Sequence, residues 1–165
     1  MILTKNEILK GIKNGKIKIS PYSINNLGPA SYDLTLSDEF RIYSGGKNIA
    51  VSEAADYKKY SKIVRGSIKL KPDGFVLGIT KEKITLADDI CGWLSGRSRF
   101  ARLGLQIHST AAFVQPGIDN HQVLEIYNLS KNTLELKPGT KICQIIFERA
   151  EGKAKYKGIF SKQKL

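Results

Sequence analysis

Cysteine is scarce in this chain of 165 residues. Cys91 and Cys143 stand far apart in ordinary apolar strand patterns, which excludes a disulfide-stapled fold and reads as two buried thiols. Histidine is equally scarce, with only His108 and His121, and no His-x-Glu precedes a Pro-Cys-x-x-Cys pattern. A zinc nucleoside-deaminase site of that kind is therefore excluded. Neither a P-loop nor a dinucleotide fingerprint is present, and the glycine pair in Tyr43-Ser44-Gly45-Gly46 lacks a following helix and reads as a turn. No apolar run reaches the roughly 18 residues of a membrane span. The segment Met1–Glu7 gains an acid early and lacks a long apolar stretch, so no signal peptide is expected and a cytoplasmic location is. Repeats and low-complexity tracts are missing as well.

What is present is a globular composition, 41% hydrophobic and 25% charged, of a size for one domain with a sizeable core. The formal net charge of +12 points to acidic ligands, either nucleic acid or nucleoside phosphates, or to a lysine-rich solvated surface. The lysines are dispersed and no basic stripe interleaves with stacking aromatics, which argues against nucleic acid. No membrane partner is expected.

Thr4-Lys5-Asn6-Glu7 reads as a capping box ahead of Ile8, Leu9 and Ile12 at helical spacing, with Gly15 as the stop. After Pro21 the pattern turns to strands. Tyr32, Leu34 and Leu36 alternate with polar residues, as does Ser67–Lys71, and Gly74 precedes Phe75–Ile79. Further strands are predicted at Lys83–Leu86, Gly92–Leu94, Leu105–His108, Gln122–Asn128, Thr133–Leu136 and Lys141–Glu148. Turn chemistry separates them at Lys71–Gly74, Gln115–Gly117 and Lys137–Thr140. Short strands behind a single leading helix indicate a mainly β barrel or sandwich over residues 1–151. Ala55–Lys62 reads as a surface loop, and residues 152–165 as a basic tail or flap.

Two stretches carry chemistry. Ser95–Leu105 reads as a strand, a turn, a short helix capped by Ser98 and a left-handed stop at Gly104. Ser98 and Arg102 share a helix face, so a hydroxyl, guanidinium groups and free amides converge as an anion site; a capped basic surface helix is the plainer alternative. In Gln122–Asn128, alternation places Gln122, Leu124, Ile126 and Asn128 on one face and Val123, Glu125 and Tyr127 on the other. Glu125 is then a lone carboxylate among apolar neighbours, either ion-paired or raised in pKa for proton transfer. His108 reads as a core or interface histidine of its strand, and His121 as part of a turn.

Taken together, Gly92-Trp93-Leu94, Gly96-Arg97-Ser98, Ala101-Arg102-Leu103-Gly104-Leu105, Pro116-Gly117 and Leu124-Glu125-Ile126-Tyr127-Asn128 resemble the dCTP deaminases, which share a trimeric β fold with dUTPases. Gly28–Leu34 resembles the family's early Ala-Ser-x-Asp-Leu motif, and residues 44–66 are the least clear. The resemblance implies a dUTPase-like distorted barrel or jelly-roll-like fold, a homotrimer with sites between subunits, and zinc-independent deamination of dCTP to dUTP and ammonia. It implies that Glu125 handles the proton of the attacking water and that Ser98 and Arg102 help form the catalytic site. Arg97, Ser98, Arg99, Arg102, Gln115, Val123 and Leu124 would bind the nucleotide, with Tyr156 and Gln163 reaching it from the tail. Mg²⁺ would arrive on the triphosphate, and dUTP or dTTP would be further nucleotide partners.

Three positions depart from the family pattern. Val114-Gln115-Pro116-Gly117 stands where the family shows Ile-Asp-Pro-Gly, so Gln115 can hydrogen-bond a sugar hydroxyl but cannot act as a base, and Asp119 is a candidate replacement. Arg99 replaces a common serine, and the tail is short. The missing aspartate favours a plain deaminase over a dUTP diphosphatase or a bifunctional enzyme, with a non-catalytic nucleotide-binding protein as the alternative of another class.

Overall fold

The computed structural model describes residues 1–165. Its elements are α1 (Lys5–Lys13), β1 (Ile17–Ser20), β2 (Tyr32–Tyr43), β3 (Ser61–Arg65), β4 (Ile68–Leu70), β5 (Phe75–Leu86), β6 (Ile90–Gly96), α2 (Ser98–Ala101), β7 (Leu105–Ile107), β8 (Phe113–Val114), β9 (Asp119–Asn128), β10 (Leu134–Leu136) and β11 (Lys141–Arg149). Short 3₁₀ turns occupy Ile24–Asn26 and Tyr57–Tyr60. One curled sheet runs in the order β7-β9-β5-β2-β11-β6-β8, with β1 also on β5 and β3 also on β2; β10 and β4 form a separate ribbon. All of these pairings are antiparallel. The fold is mainly β, a half-barrel wrapped round a core that includes Tyr32, Phe40, Leu124, Ile126 and Phe147, each with no exposed surface.

Strand alternation decides which residues reach that core. Along β9, Asn120, Gln122, Leu124, Ile126 and Asn128 are buried, while His121, Val123, Glu125 and Tyr127 are half-buried on the opposite face. The predicted faces of this strand are therefore the observed ones, but the outer face is open enough that Glu125 is not a core carboxylate. The strands predicted at Phe75–Ile79 and Lys83–Leu86 are one twelve-residue strand, β5. A register shift between Ile79 and Lys83 breaks the alternation at its centre, which is why the pattern reads as two. Thr80 fixes the bulge: its hydroxyl donates to Glu82 O at 2.8 Å and accepts from Gln122 N at 2.9 Å. Gly78, on β5, is dictated by close approach, since a Cβ there would lie 2.9 Å from Ile126 Cδ1 and 3.0 Å from Leu36 Cδ1.

Several local expectations are corrected. Thr4 occupies the N-cap position of α1 without any side-chain capping bond; Glu7 instead pairs with Lys10 and Arg149. In α2 the N-cap is Arg97, not Ser98, which is the first helical residue. The region read as a surface loop ends in a 3₁₀ turn and β3, while β1 and β8 lie outside the predicted strands. No helix is long and apolar enough to cross a membrane.

Candidate active site

The strands position one sizeable cavity, of about 650 Å³, on the outer face of β5 and β9. Leu77 and Val123 form part of its floor, beside Glu125. The loop after β7 (His108–Ala111) and Phe113–Gln115 build one wall. Tyr43, Tyr57 and Phe75 close the far end, and Tyr156, Phe160, Gln163 and Lys164 of the tail cover the other. Aromatic and aliphatic walls with a few convergent polar groups are what a small-molecule site requires.

Glu125 is the only carboxylate in that lining. Four donors from two consecutive residues converge on it. Oε2 accepts from Ser109 N at 3.1 Å, Ser109 Oγ at 3.2 Å and Thr110 N at 2.8 Å. Oε1 accepts from Thr110 Oγ1 at 2.6 Å. Partial burial pushes the Glu125 pKa upward, but the bonds from Thr110 and Ser109 and the proximity of His108 outweigh it and hold the carboxyl below its ordinary value. The expectation of a raised pKa is thus corrected, because desolvation is countered by donors on both oxygens.

His108 makes that loop possible. It is not a core residue: it lies just beyond β7, half-buried, with a left-handed φ of 59°. A non-glycine residue tolerates this when its surroundings over-determine it. Here His108 N donates to Glu125 O at 2.6 Å, Nδ1 accepts from Glu125 N at 3.4 Å and Nε2 lies 2.8 Å from Ala111 O. The donors Ser109 and Thr110 and the strained His108 were not singled out from sequence as site residues. Small hydroxylated residues in a loop carry no periodic signal, and only the fold brings them beneath the carboxylate.

The tail lies across the Pro116-Gly117 turn. Tyr156 N donates to Pro116 O at 3.0 Å, Asn120 Nδ2 to Phe160 O at 3.0 Å, and Gln163 Nε2 to His121 O at 2.9 Å. Gly117 has φ 71°, and a Cβ there would sit 2.8 Å from Lys155 Cγ. Glycine is needed at this position both for the backbone conformation and for the passage of the tail.

Of the residues singled out from sequence, Gln115, Val123, Glu125, Tyr156 and Gln163 meet in this cavity. Leu124 does not: its side chain is fully buried in the core, so only its backbone is available on the cavity side. Arg97, Ser98, Arg99 and Arg102 lie outside the lining. Arg97 is engaged within its own chain, with Nη2 3.1 Å from Asp33 Oδ2 and Nη1 donating to Lys141 O at 2.8 Å, rather than directed to this cavity. Ser98 and Arg99 are exposed on α2, and Arg102 is exposed at its C-cap. Gly104, at φ 80°, ends that turn, and a Cβ there would meet Ser130 Cβ at 2.7 Å. Asp119 is not a replacement for the missing aspartate, because Lys83 and Thr85 hold its carboxylate at 2.8 and 2.5 Å, away from the cavity. His121 belongs to β9, with Nδ1 3.0 Å from Thr80 O, and is not in a turn. No group of three His, Cys, Asp or Glu side chains is placed to hold a metal ion.

Comparison with known proteins agrees with this architecture. The family model described as dCTP deaminase-like matches residues 2–150. A protein of Nocardioides sp. named "dCTP deaminase, dUMP-forming" is 37% identical, over 94% of this chain and 87% of its own length. One of the same name from Clavibacter michiganensis is 35% identical, over 94% of this chain and 79% of its own. Among solved structures, the 2′-deoxycytidine 5′-triphosphate deaminase of Agrobacterium tumefaciens superposes with a TM-score of 0.69 at 19% identity, covering 91% of this chain and 48% of that one. A dUTPase of the S. aureus phage phi11 superposes with a TM-score of 0.50 at 14% identity, covering 87% and 96%. With a matching family model across nearly its whole length and relatives above one-third identity, this chain belongs to the dCTP deaminase-like family.

Proposed function

We propose that this protein deaminates dCTP to dUTP and ammonia, with Glu125 as the group that moves the protons. The observation that carries this reading is the anchored, ionised carboxylate of Glu125 in the cavity floor. As water attacks C4 of the cytosine, the carboxylate takes its proton. One of the water's two protons ends on N3 and the other on the exocyclic amine. The C4–N4 bond breaks, ammonia leaves, and a C4 carbonyl with N3–H remains. The donors on Glu125 keep it charged and oriented, so that it begins the cycle as a base. In this reading Gln115 offers an amide to the sugar, and Tyr156 and Gln163 contact the nucleotide from the tail.

The reading of dUTP as the product rests on this chain's own part of the cavity, since a second hydrolysis, at the phosphate, needs a second water to be activated. Gln115 cannot take a proton, and the cavity holds no carboxylate besides Glu125. The name "dUMP-forming" borne by the relatives favours the other reading, in which dUMP and diphosphate are released.

The cavity also has few cations, Lys164 being the one lysine or arginine in its lining. A triphosphate needs more. We assign that charge to Arg99 and Arg102 of a neighbouring copy in a homotrimer, with Ser98 beside them as a neutral hydroxyl donor, and to Mg²⁺ carried by the phosphates.

Product analysis by chromatography, with Mg²⁺ and either dCTP or dUTP, tests the assignment. dUTP from dCTP, with dUTP itself untouched, is the expected result. Formation of dUMP would establish the second reading, and no turnover of either nucleotide would leave a nucleotide-binding protein. Light scattering after gel filtration tests the trimer.

A further inference from the structure

The first two inward positions of β9 carry the amides of Asn120 and Gln122, where the next two carry Leu124 and Ile126. Asn120 is 6% exposed and Gln122 5%. Buried amides are kept with partners, and each of these has two N–H donors to place. Gln122 Nε2 donates to Asn120 Oδ1 at 2.8 Å. That bond decides which way the Asn120 amide faces, because turning it over would set one NH₂ group against another. Asn120 Nδ2 is thereby aimed at the tail, where it donates to Phe160 O at 3.0 Å and to Ser161 O at 3.4 Å.

The tail is shaped to receive it. Ser161 N donates to Gly158 O at 3.0 Å and Gln163 N to Phe160 O at 3.1 Å, so residues 158–163 form two overlapping turns. A Cβ on Gly158 would collide with the Tyr156 hydroxyl, so the chain doubles back over that tyrosine at a position where a side chain has no room. Gln163 Nε2 then donates to His121 O at 2.9 Å, next to Asn120 on β9. Phe160, Gln163 and Lys164 line the cavity, and Lys164 is the one lysine or arginine there. Their placement rests on two neighbouring points of β9, one a buried side chain and the other a main-chain carbonyl.

We infer that Asn120 is a positioning residue for the nucleotide: oriented by Gln122, it latches the tail against β9 and so holds Phe160, Gln163 and Lys164 at the cavity. The inference rests on the reading of that cavity as a nucleotide site. A nucleotide that contacts the latched tail binds more weakly in proportion as fewer molecules hold the tail in place. The latched residues supply an amide, an aromatic ring and a cation, and none of them is the proton carrier. The latch therefore serves bound substrate and transition state alike, and its loss falls on KM and not on kcat.

Asn120→Leu removes both tail bonds with little change in volume. Trypsin digestion of the folded protein, followed by mass spectrometry, reads tail attachment as the rate of cleavage after the exposed Lys157 and Lys162, and steady-state kinetics with dCTP give KM and kcat. In Asn120→Leu, cleavage is about tenfold faster and KM about tenfold higher, the size expected of one or two net hydrogen bonds, while kcat stays within about threefold. Gly158→Ala leaves β9 untouched and moves cleavage and KM in the same direction, which keeps the inference testable should Asn120→Leu not fold. Cleavage at the wild-type rate overturns the latch. Faster cleavage with an unchanged KM, or a fall confined to kcat, overturns its part in nucleotide binding. If the wild-type protein turns over no dCTP, the proposed function fails, and cleavage together with calorimetric binding of dCTP still decides the latch: faster cleavage with weaker binding upholds it, and unchanged values refute it.

Discussion

Replacing Thr110 with valine removes one atom's worth of chemistry from the site and little volume. The hydroxyl donates to Glu125 Oε1 at 2.6 Å, the shortest of the four bonds on that carboxylate. A hydrogen bond to a charged acceptor contributes about 1.5–3 kcal/mol, and partial exposure of Glu125 places this one at the lower end, about 1.5 kcal/mol. That is close to one pKa unit, so the Glu125 pKa rises toward its ordinary value in the variant. The pH dependence follows from the sign. A carboxyl whose folded pKa is lowered stabilises the fold above its unfolded pKa and loses that contribution as pH falls through the folded value. Thr110→Val is therefore less stable than wild type at pH 7 by about 1.5 kcal/mol, a fall of roughly 4 °C in Tm for a chain of this size. The deficit closes as Glu125 becomes protonated in both proteins. Asp119 and Glu7 also carry lowered pKa values, but they titrate identically in the two proteins and cancel in the difference. Urea denaturation of the pair from pH 7 down to pH 3.5 measures it. A deficit that is the same at both ends of that range refutes the reasoning, since it would come from packing and not from the carboxylate.

Gly78→Ala forces a methyl group against Ile126 and Leu36 at the centre of β5 and costs about 1–3 kcal/mol, read as a lower denaturation midpoint with an unchanged slope. Glu125→Gln lowers kcat by at least about 100-fold while calorimetry still registers triphosphate binding; full turnover in that variant removes Glu125 from the proton path. Gln115→Asp places a second carboxylate at the cavity edge, and release of diphosphate from dUTP by that variant, absent from wild type, is the expected gain. Gly104→Ala meets both a positive φ and Ser130, so it displaces α2 and weakens nucleotide binding more than it weakens the fold, a split visible by comparing calorimetric affinity with Tm.

The fold was legible where one physical signal dominated. Alternation placed the two faces of β9 correctly, and glycine turns marked Gly104 and Gly117, both of which adopt positive φ. It was illegible where tertiary contacts override local chemistry. The bulge at Thr80 hides the continuity of β5, and β3 has no buried residue although it pairs with the C-terminal half of β2. The candidate site shows the same division. A lone carboxylate in an apolar strand announces itself, but its environment does not: Ser109 and Thr110 lie sixteen and fifteen residues upstream of Glu125, and Tyr57 lies farther still.

Charge carries the argument one step beyond the single chain. A chain of net charge +12 builds a nucleotide-sized cavity and leaves Lys164 as the lone lysine or arginine in its lining. Arg97, to which the family resemblance gives a phosphate role, is paired with Asp33, while Ser98, Arg99 and Arg102 stand exposed on a turn that contributes nothing to the cavity of its own chain. Two unpaired guanidinium groups held rigidly at a glycine-terminated turn, and a cavity short of cations, are complementary deficits. They are resolved together only if α2 of one copy faces the cavity of another, so nucleotide binding should strengthen with protein concentration across the assembly transition. Arg102→Ala should weaken the binding of the assembled protein, and binding of undiminished strength to a dilute monomer would break the link between assembly and the site.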